Sequence, residues 1–247
     1  MISLFRKVKR QMLSENRFTK YLMYAIGEII LVVVGILIAV QINTFIKEEN
    51  RKVTEREVLE EILKNLNRDK IEIQDELNGY QIIMDTDEVL INHYRNRLPF
   101  VDSIGSKLYV LQLSPHFNPT TSGYNLLESK GIDLITNDSL RIQITDFYER
   151  AIPYYQKYEA ERIQYIQSFV QPYFLNNFTL ERYSVWPYYK RIPMDIESLK
   201  DDSTLISYFQ NTAYLAENLT KKARQVDQKI DALRNLLKAN LSPDSPG

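Results

Sequence analysis

Apolar and polar positions divide the chain into a greasy segment near its start and two long amphipathic stripes separated by less regular sequence. Ile29 to Val40 reads IILVVVGILIAV, an uncharged run in which ten of twelve residues are Val, Ile or Leu. Apolar character extends from Tyr21 to Ile46 and is interrupted by Glu28, Gln41, Asn43 and Thr44. As a helix, 26 residues span about 39 Å, more than the roughly 30 Å hydrocarbon core of a bilayer. The ten aliphatic residues contribute roughly −3 to −6 kcal/mol to insertion, enough to offset one Glu at about +3 kcal/mol. Residues 21–46 therefore read as a transmembrane helix. The competing readings are a cleaved signal peptide and a buried core helix. Val40 to Asn43 offers no small-x-small cleavage site, which argues against the first. Nothing else in the chain is comparably apolar, which argues against the second.

The first stripe, Leu59, Leu63, Leu66, Lys70, Ile73, Leu77, Tyr80, Met84, Asp87, Ile91 and Tyr94, alternates spacings of four and three and is broken by Lys70 and Asp87. It predicts a helix over about 53–97, continuous with the apolar segment and ended by Leu98, Pro99 and Phe100. The second stripe runs Leu205, Tyr208, Thr212, Leu215, Leu219, Ala223, Val226, Ile230, Leu233 and Leu237. Asp201, Asp202 and Ser203 are its start signals, and Ser242 with Pro243 its stop. Two stripes of similar length favour an antiparallel pair within one chain, with an intermolecular coiled coil as the alternative. Between them the sequence predicts short helices over 103–113 and 120–130, the latter capped by Gly131. A further helix runs from about Leu140 to Phe169, capped by Asn137 to Ser139, with Pro153 as a kink or break. Residues 175–203 lose periodicity, with room for a short strand between Arg182 and Tyr189.

The expected fold is thus all-α: one N-terminal transmembrane helix followed by an elongated antiparallel helical bundle. The expected parts are a basic cytoplasmic amphipathic segment (1–20), the span (21–46), a helical extracytoplasmic domain (47–241) and a disordered tail (242–247).

Charge changes the picture only at the beginning. The whole chain carries 31 Lys plus Arg against 32 Asp plus Glu, which gives no case for nucleic acid as a partner. Residues 1–20 hold six basic side chains against Glu15 alone, the flank expected beside an anionic lipid surface. Ile2, Phe5, Val8 and Met12 form one helical stripe there, which reads either as a short interfacial helix or as an ordinary basic flank. Lys47, Arg51, Lys52, Arg56 and Lys64 follow the span, so positive charge alone hardly sets orientation. The short basic segment, single span and long body match an uncleaved signal anchor. That arrangement puts the N-terminus in the cytoplasm and the body in the periplasm, with the span in the inner membrane.

Within the span, Glu28, Gly35, Ala39 and Asn43 fall inside an arc of about 80° at about 100° per residue. Small residues four apart allow close backbone approach, and polar groups in lipid favour protein partners. The face reads either as a surface packing on a second helix or as Glu28 at headgroup depth beside a chance pair of small residues.

Chemistry is sparse. The absence of Cys removes disulfides, thiolate metal sites and a Cys nucleophile, and two His (His93, His116) leave few ways to build a metal centre. No acid stands three or four residues from His93, and His116 has only Ser114 nearby in a proline-bounded break. No cofactor, metal or catalytic residue is expected. Half of the 28 aromatic residues lie between Phe147 and Tyr189. Tyr154, Tyr158, Trp186 and Tyr188 are the candidates among them for recognition by stacking, the alternative being core filling.

The segment YAIGEIILVVVGILIAVQIN (Tyr24 to Asn43), with the preceding FRKVKRQMLSENRFTKYL, resembles the N-terminal signature of an uncharacterised single-span membrane-protein family of Bacteroidota, domain of unknown function 6090. TTSGYNLLESKGIDLITNDSLRIQITDFYE (Thr120 to Glu149) resembles that family's central helical pattern. Many relatives carry a Trp just after the Gln-x-Asn segment, where this chain has Thr44, Phe45 and Ile46. The resemblance implies an envelope protein with a helical extracytoplasmic part and carries over no site residue. The resulting expectation is a non-enzymatic, membrane-anchored structural or accessory protein. Its partners would be the lipid bilayer and other envelope membrane proteins or further copies of itself. The alternative is a membrane-anchored sensor or binding module that takes a peptide, glycan or small apolar ligand on its aromatic region.

Overall fold

The computed structural model describes residues 17–199 and 202–242. The stripe expected over Ile2 to Met12, Asp201 and the tail beyond Ser242 lie outside them. The chain divides into two units, Met1–Glu55 and Arg56–Gly247. Helix α1 (Arg17–Arg95) contributes to both. Nothing in its sequence stops it, since the first proline is Pro99.

In the first unit every residue from 20 to 53 is exposed. The run of Leu, Ile and Val there touches no core.

In the second unit, α1 ends in a Schellman arrangement. The Leu98 N–H donates to the His93 carbonyl at 3.2 Å and the Arg97 N–H to that of Tyr94 at 3.1 Å, with Arg97 left-handed at φ 50°. Helix α2 (Asp102–Val110) follows, then an irregular segment through Thr121, α3 (Ser122–Lys130) and a 3₁₀ turn at Ile132–Leu134. Gly131 caps α3 at φ 98°, a conformation that favours glycine. The Asn137 side chain caps α4 (Asp138–Asp146) by accepting from the Leu140 N–H at 3.1 Å.

The helix expected to reach Phe169 with a kink or break at Pro153 instead continues to Asn177. A π-helical turn at Phe147–Ala151 precedes α5 (Ile152–Tyr165), and another at Ile166–Val170 precedes α6 (Gln171–Asn177). Pro153 and Pro172 stand just after these turns. Each proline lacks an N–H and would press on the carbonyl four residues back; a widened turn removes that clash without ending the helix.

The short strand expected between Arg182 and Tyr189 is also corrected. Strands β1 (Phe178–Arg182) and β2 (Tyr189–Pro193) flank that stretch and pair antiparallel, Phe178 opposite Pro193 and Arg182 opposite Tyr189. The residues between them form the turn, which contains a cis Trp186–Pro187 bond. A short α7 (Ile196–Leu199) leads to α8 (Ser203–Leu241). Asp202 caps α8 through the Thr204 and Leu205 N–H groups at 2.8 and 3.3 Å.

Helices α1 and α8 pair antiparallel, because partners rise along one as they fall along the other. Asn67 accepts from Arg234, Lys70 meets Asp227 and Asp231 at 2.7 and 2.6 Å, and Asp87 accepts from Thr212 at 2.9 Å. The two polar breaks in the first stripe are therefore cross-helix contacts that mark the register. One apolar cluster joins Val58 to Ile83 with α3, α4, α5 and the later part of α8. A second joins Leu90 and Tyr94 with α2, α6, β1, α7 and the start of α8.

Helix α3 lies hard against α1. A Cβ on Gly123 would stand 2.7 Å from the Ile62 backbone nitrogen and 2.9 Å from its Cγ1. Gly123→Ala is expected to destabilise this unit by about 1–3 kcal/mol. Urea unfolding of the full chain in detergent checks this, and an unchanged midpoint would contradict the close approach.

Candidate functional site

The buried row of α1 is not the apolar stripe alone. Asn65, Asp69 and Glu76 are buried beside it and Asp87 within it, whereas Leu63, Leu77, Met84 and Ile91 are only half-buried. The polar positions Asn65, Asp69, Glu72 and Glu76 follow spacings of four, three and four, which places them on one face.

That face holds the segment Leu113 to Thr121 as a strap. From Ser114 to Thr120, among the described residues, the strap makes no backbone–backbone hydrogen bond. Pro115 and Pro119 have no N–H to satisfy. The Phe117 N–H donates to Glu159 Oε1 at 2.8 Å, Asn118 to Glu72 Oε1 at 2.9 Å and Thr120 to Asp69 Oδ1 at 2.8 Å. Just beyond, the Gly123 N–H donates to Asn65 Oδ1 at 2.7 Å. On the acceptor side, the Leu113 carbonyl takes Arg162 Nη2 at 2.9 Å and the Pro115 carbonyl takes the Tyr80 hydroxyl at 3.1 Å.

Beneath the strap, Glu76 on α1 and Glu159 on α5 are 4% and 2% exposed, and among the described residues the Oε2 of each has no hydrogen-bond partner. Tyr155 donates its hydroxyl to Glu76 Oε1 at 2.6 Å. Two neighbouring carboxyl groups out of water cannot both ionise cheaply. Burial first, then the neighbouring carboxyl, raises Glu76; burial also raises Glu159. Desolvation pushes Asp69 up to about 6 and Asp87 up to about 7. Arg162, 1% exposed, is lowered by its own burial, while burial raises Tyr80 and Tyr155.

This site is a closed proton-holding cluster whose hydrogen bonds go largely to the protein's own backbone. Its carboxyl pair resembles an acid–base pair in chemistry but not in access. Among the described residues, no group of three His, Asp or Glu is placed to hold a metal ion. Sequence reasoning missed Glu76, Glu159, Asp69 and Arg162. The available signal was acidic positions at helical spacing flanking the apolar stripe, and Tyr155, Glu159 and Arg162 on one face of the later helix.

The residues singled out from sequence fall in three places. Glu28, Gly35, Ala39 and Asn43 are exposed on α1, with open space where a Gly35 side chain would stand. Their helix is the one, among the described residues, long and apolar enough to cross a membrane, and none of its most apolar stretch is buried. Tyr154 and Tyr158 meet edge to face, with hydroxyls 3.2 Å apart and Lys222 Nζ 3.6 Å from the Tyr158 ring centre. A groove beside them is lined by Ala151, Tyr154, Tyr155, Lys222, Gln225, Val226 and Lys229. Trp186 and Tyr188 are exposed in the β1–β2 turn and, among the described residues, make no ring contact with the Tyr154 pair. The aromatic-rich region thus divides: Phe147, Tyr148, Tyr155, Phe174 and Phe178 fill core, while Tyr154, Phe169, Trp186 and Tyr188 face solvent. Of the two histidines, His93 is buried edge-on to Tyr94. His116 sits half out on the strap with Nδ1 3.6 Å from Glu159 Oε1.

The raised carboxyls fix a sign for pH dependence. Asp69 and Asp87 bind protons more tightly folded than unfolded, so their contribution is full below the unfolded value near 3.8 and is lost as pH rises through about 6 and 7. Asp87→Asn, which keeps an oxygen to accept from Thr212, is expected to raise the thermal midpoint at pH 8 and leave it nearly unchanged at pH 4. Equal effects at both values in calorimetry of the full chain would contradict the assignment.

No curated protein and no solved structure matches the chain. A family model matches residues 28–185, nearly two thirds of it, from the apolar part of α1 to the β1–β2 turn. The protein belongs to that family, the Family of unknown function (DUF6090).

Proposed function

We propose that this protein is a non-enzymatic, membrane-anchored structural or accessory protein of the cell envelope. Residues 21–46 cross the inner membrane once, the basic N-terminal segment stays cytoplasmic and the helical unit stands in the periplasm. The observation that carries this reading is the fully exposed apolar segment of α1, which presents Glu28, Gly35, Ala39 and Asn43 on one face with open space at Gly35. Exposed surface of that kind is stable in hydrocarbon and costly in water. An acid and an amide beside two small residues give such a helix a reason to seek another, either a second copy or a different membrane protein. The non-enzymatic part of the reading is supported by the carboxyl cluster, whose members are buried and already accept hydrogen bonds from the protein's own backbone and hydroxyl groups.

The groove beside Tyr154 favours a second reading, a binding module for a peptide, glycan or small apolar ligand, since Tyr155 and Val226 give it an apolar floor. Lys222 already covers the Tyr158 ring, which leaves less aromatic face to offer.

Crosslinking in native membranes followed by gentle solubilisation tests the first reading. The unaltered chain is expected to be recovered with a second copy or with a membrane partner. Gly35→Leu with Ala39→Leu is expected to reduce that recovery severalfold without loss of membrane association. Recovery of monomer alone, or the same recovery from the double variant, would count against the packing face.

A further inference from the structure

The strap is fastened almost entirely by ionisable side chains, and the carboxyl pair lies under its middle. Glu159 is common to both: its Oε1 accepts the Phe117 N–H at 2.8 Å and lies 3.6 Å from His116 Nδ1. An ionised carboxylate accepts better than a neutral one, so the proton of the pair belongs on Glu76, whose Oε1 accepts from Tyr155 and whose buried Oε2, like that of Glu159, has no other partner among the described residues. We propose that the strap of residues 113–121 is a proton-operated latch, closed while Glu76 and Glu159 share one proton and opened when that proton leaves.

The surroundings decide why opening is the response. On α1 the pair is faced by Glu72 and Tyr80, with Asp69 and Asp87 further along the helix in either direction. On α5 it is faced by Tyr155 and Arg162, and on the strap by His116. Loss of the proton converts a carboxylic acid and a carboxylate into two carboxylates, the proton passing to water. The fully buried cation of this group is Arg162; its Nη2 is committed to the Leu113 carbonyl, and among the described residues it makes no ion pair within 4 Å. Two adjacent negative charges in a region of low dielectric are relieved most simply by letting Glu159 move out toward water. That movement removes the acceptor from Phe117, whose ring is fully buried. His116, with a half-exposed side chain against Glu159, is the point where the pair meets solvent. The α1–α8 pairing has its own contacts, Asp87 with Thr212 at the start of α8 and Lys70 and Asn67 with Asp227, Asp231 and Arg234 further on, and the later ones do not involve this proton.

The test is amide hydrogen exchange on the full chain in lipid nanodiscs from pH 6 to 9, with each rate divided by the intrinsic rate at that pH. The latch predicts that protection of the Phe117, Asn118 and Thr120 amides falls by about tenfold per pH unit once the pair has lost its proton. Ala223, Val226 and Ile230 in α8 should keep theirs. Glu76→Gln, whose side-chain amide donates to Glu159 at every pH, should hold the strap closed across the range. Glu159→Gln also prevents two charges from meeting under the strap and serves if the first variant does not fold. Constant strap protection in the unaltered chain, an unchanged fall in the Gln variants, or a parallel fall in α8 would each overturn the latch.

Discussion

A backbone N–H buried away from water needs an acceptor, and the chain from Ser114 to Thr120 has neither helix nor sheet to supply one. Much of the second unit follows from how that need is met. Helix α1 presents Asn65, Asp69, Glu72 and Glu76 at helical spacing, and three of these accept from the strap or from the start of α3. Glu159 reaches in from α5 to take the Phe117 amide. Using carboxylates in this way brings acids into a region where ionisation is costly; the raised Asp69 and Glu159 are the consequence, and Glu76 is raised in turn by its burial and by Glu159. The same contacts set where α3 and α5 stand against α1, and so where the apolar cluster between them forms.

Helices α1 and α8 were legible because each repeats an apolar position every three or four residues over many turns. Even the breaks carried information. Lys70 and Asp87 look like flaws in a stripe read alone, yet they find Asp227, Asp231 and Thr212 on the facing helix. Asn137 and Asp202 could be recognised as caps because a short polar side chain ahead of an apolar run serves the free N–H groups of a helix start.

Other features depended on facts no local pattern contains. Prolines at 153 and 172 argue for interruption, whereas a widened turn before each lets the helix continue. A two-stranded ladder of five residues each gives little alternation to detect, and the stretch with room for a strand proved to be its turn. The carboxyl cluster was missed because a Glu on the flank of a stripe looks solvated until another element closes over it. Of the candidate residues, the Glu28 face could be placed from sequence because helical geometry alone defines it. Tyr154 with Tyr158 and Trp186 with Tyr188 lie on different elements, and only the fold separates them.

The two units answer different physical demands. Residues 20–53 are exposed and carry apolar surface suited to hydrocarbon. The unit from Arg56 onward hides its apolar residues and also several acids, which it holds by hydrogen bonds from its own backbone and hydroxyl groups. The account rests most heavily on those acids keeping protons at a pH where exposed carboxyls have lost them. Carbon-13 NMR of the Asp and Glu side-chain carboxyls, recorded against pH on the full chain in lipid nanodiscs, measures this directly. The account predicts that Asp69 and Asp87 titrate near 6 and 7 and that one of Glu76 and Glu159 is still protonated at neutral pH. Titration of all four close to the ordinary values of 3.8 and 4.5 would contradict it.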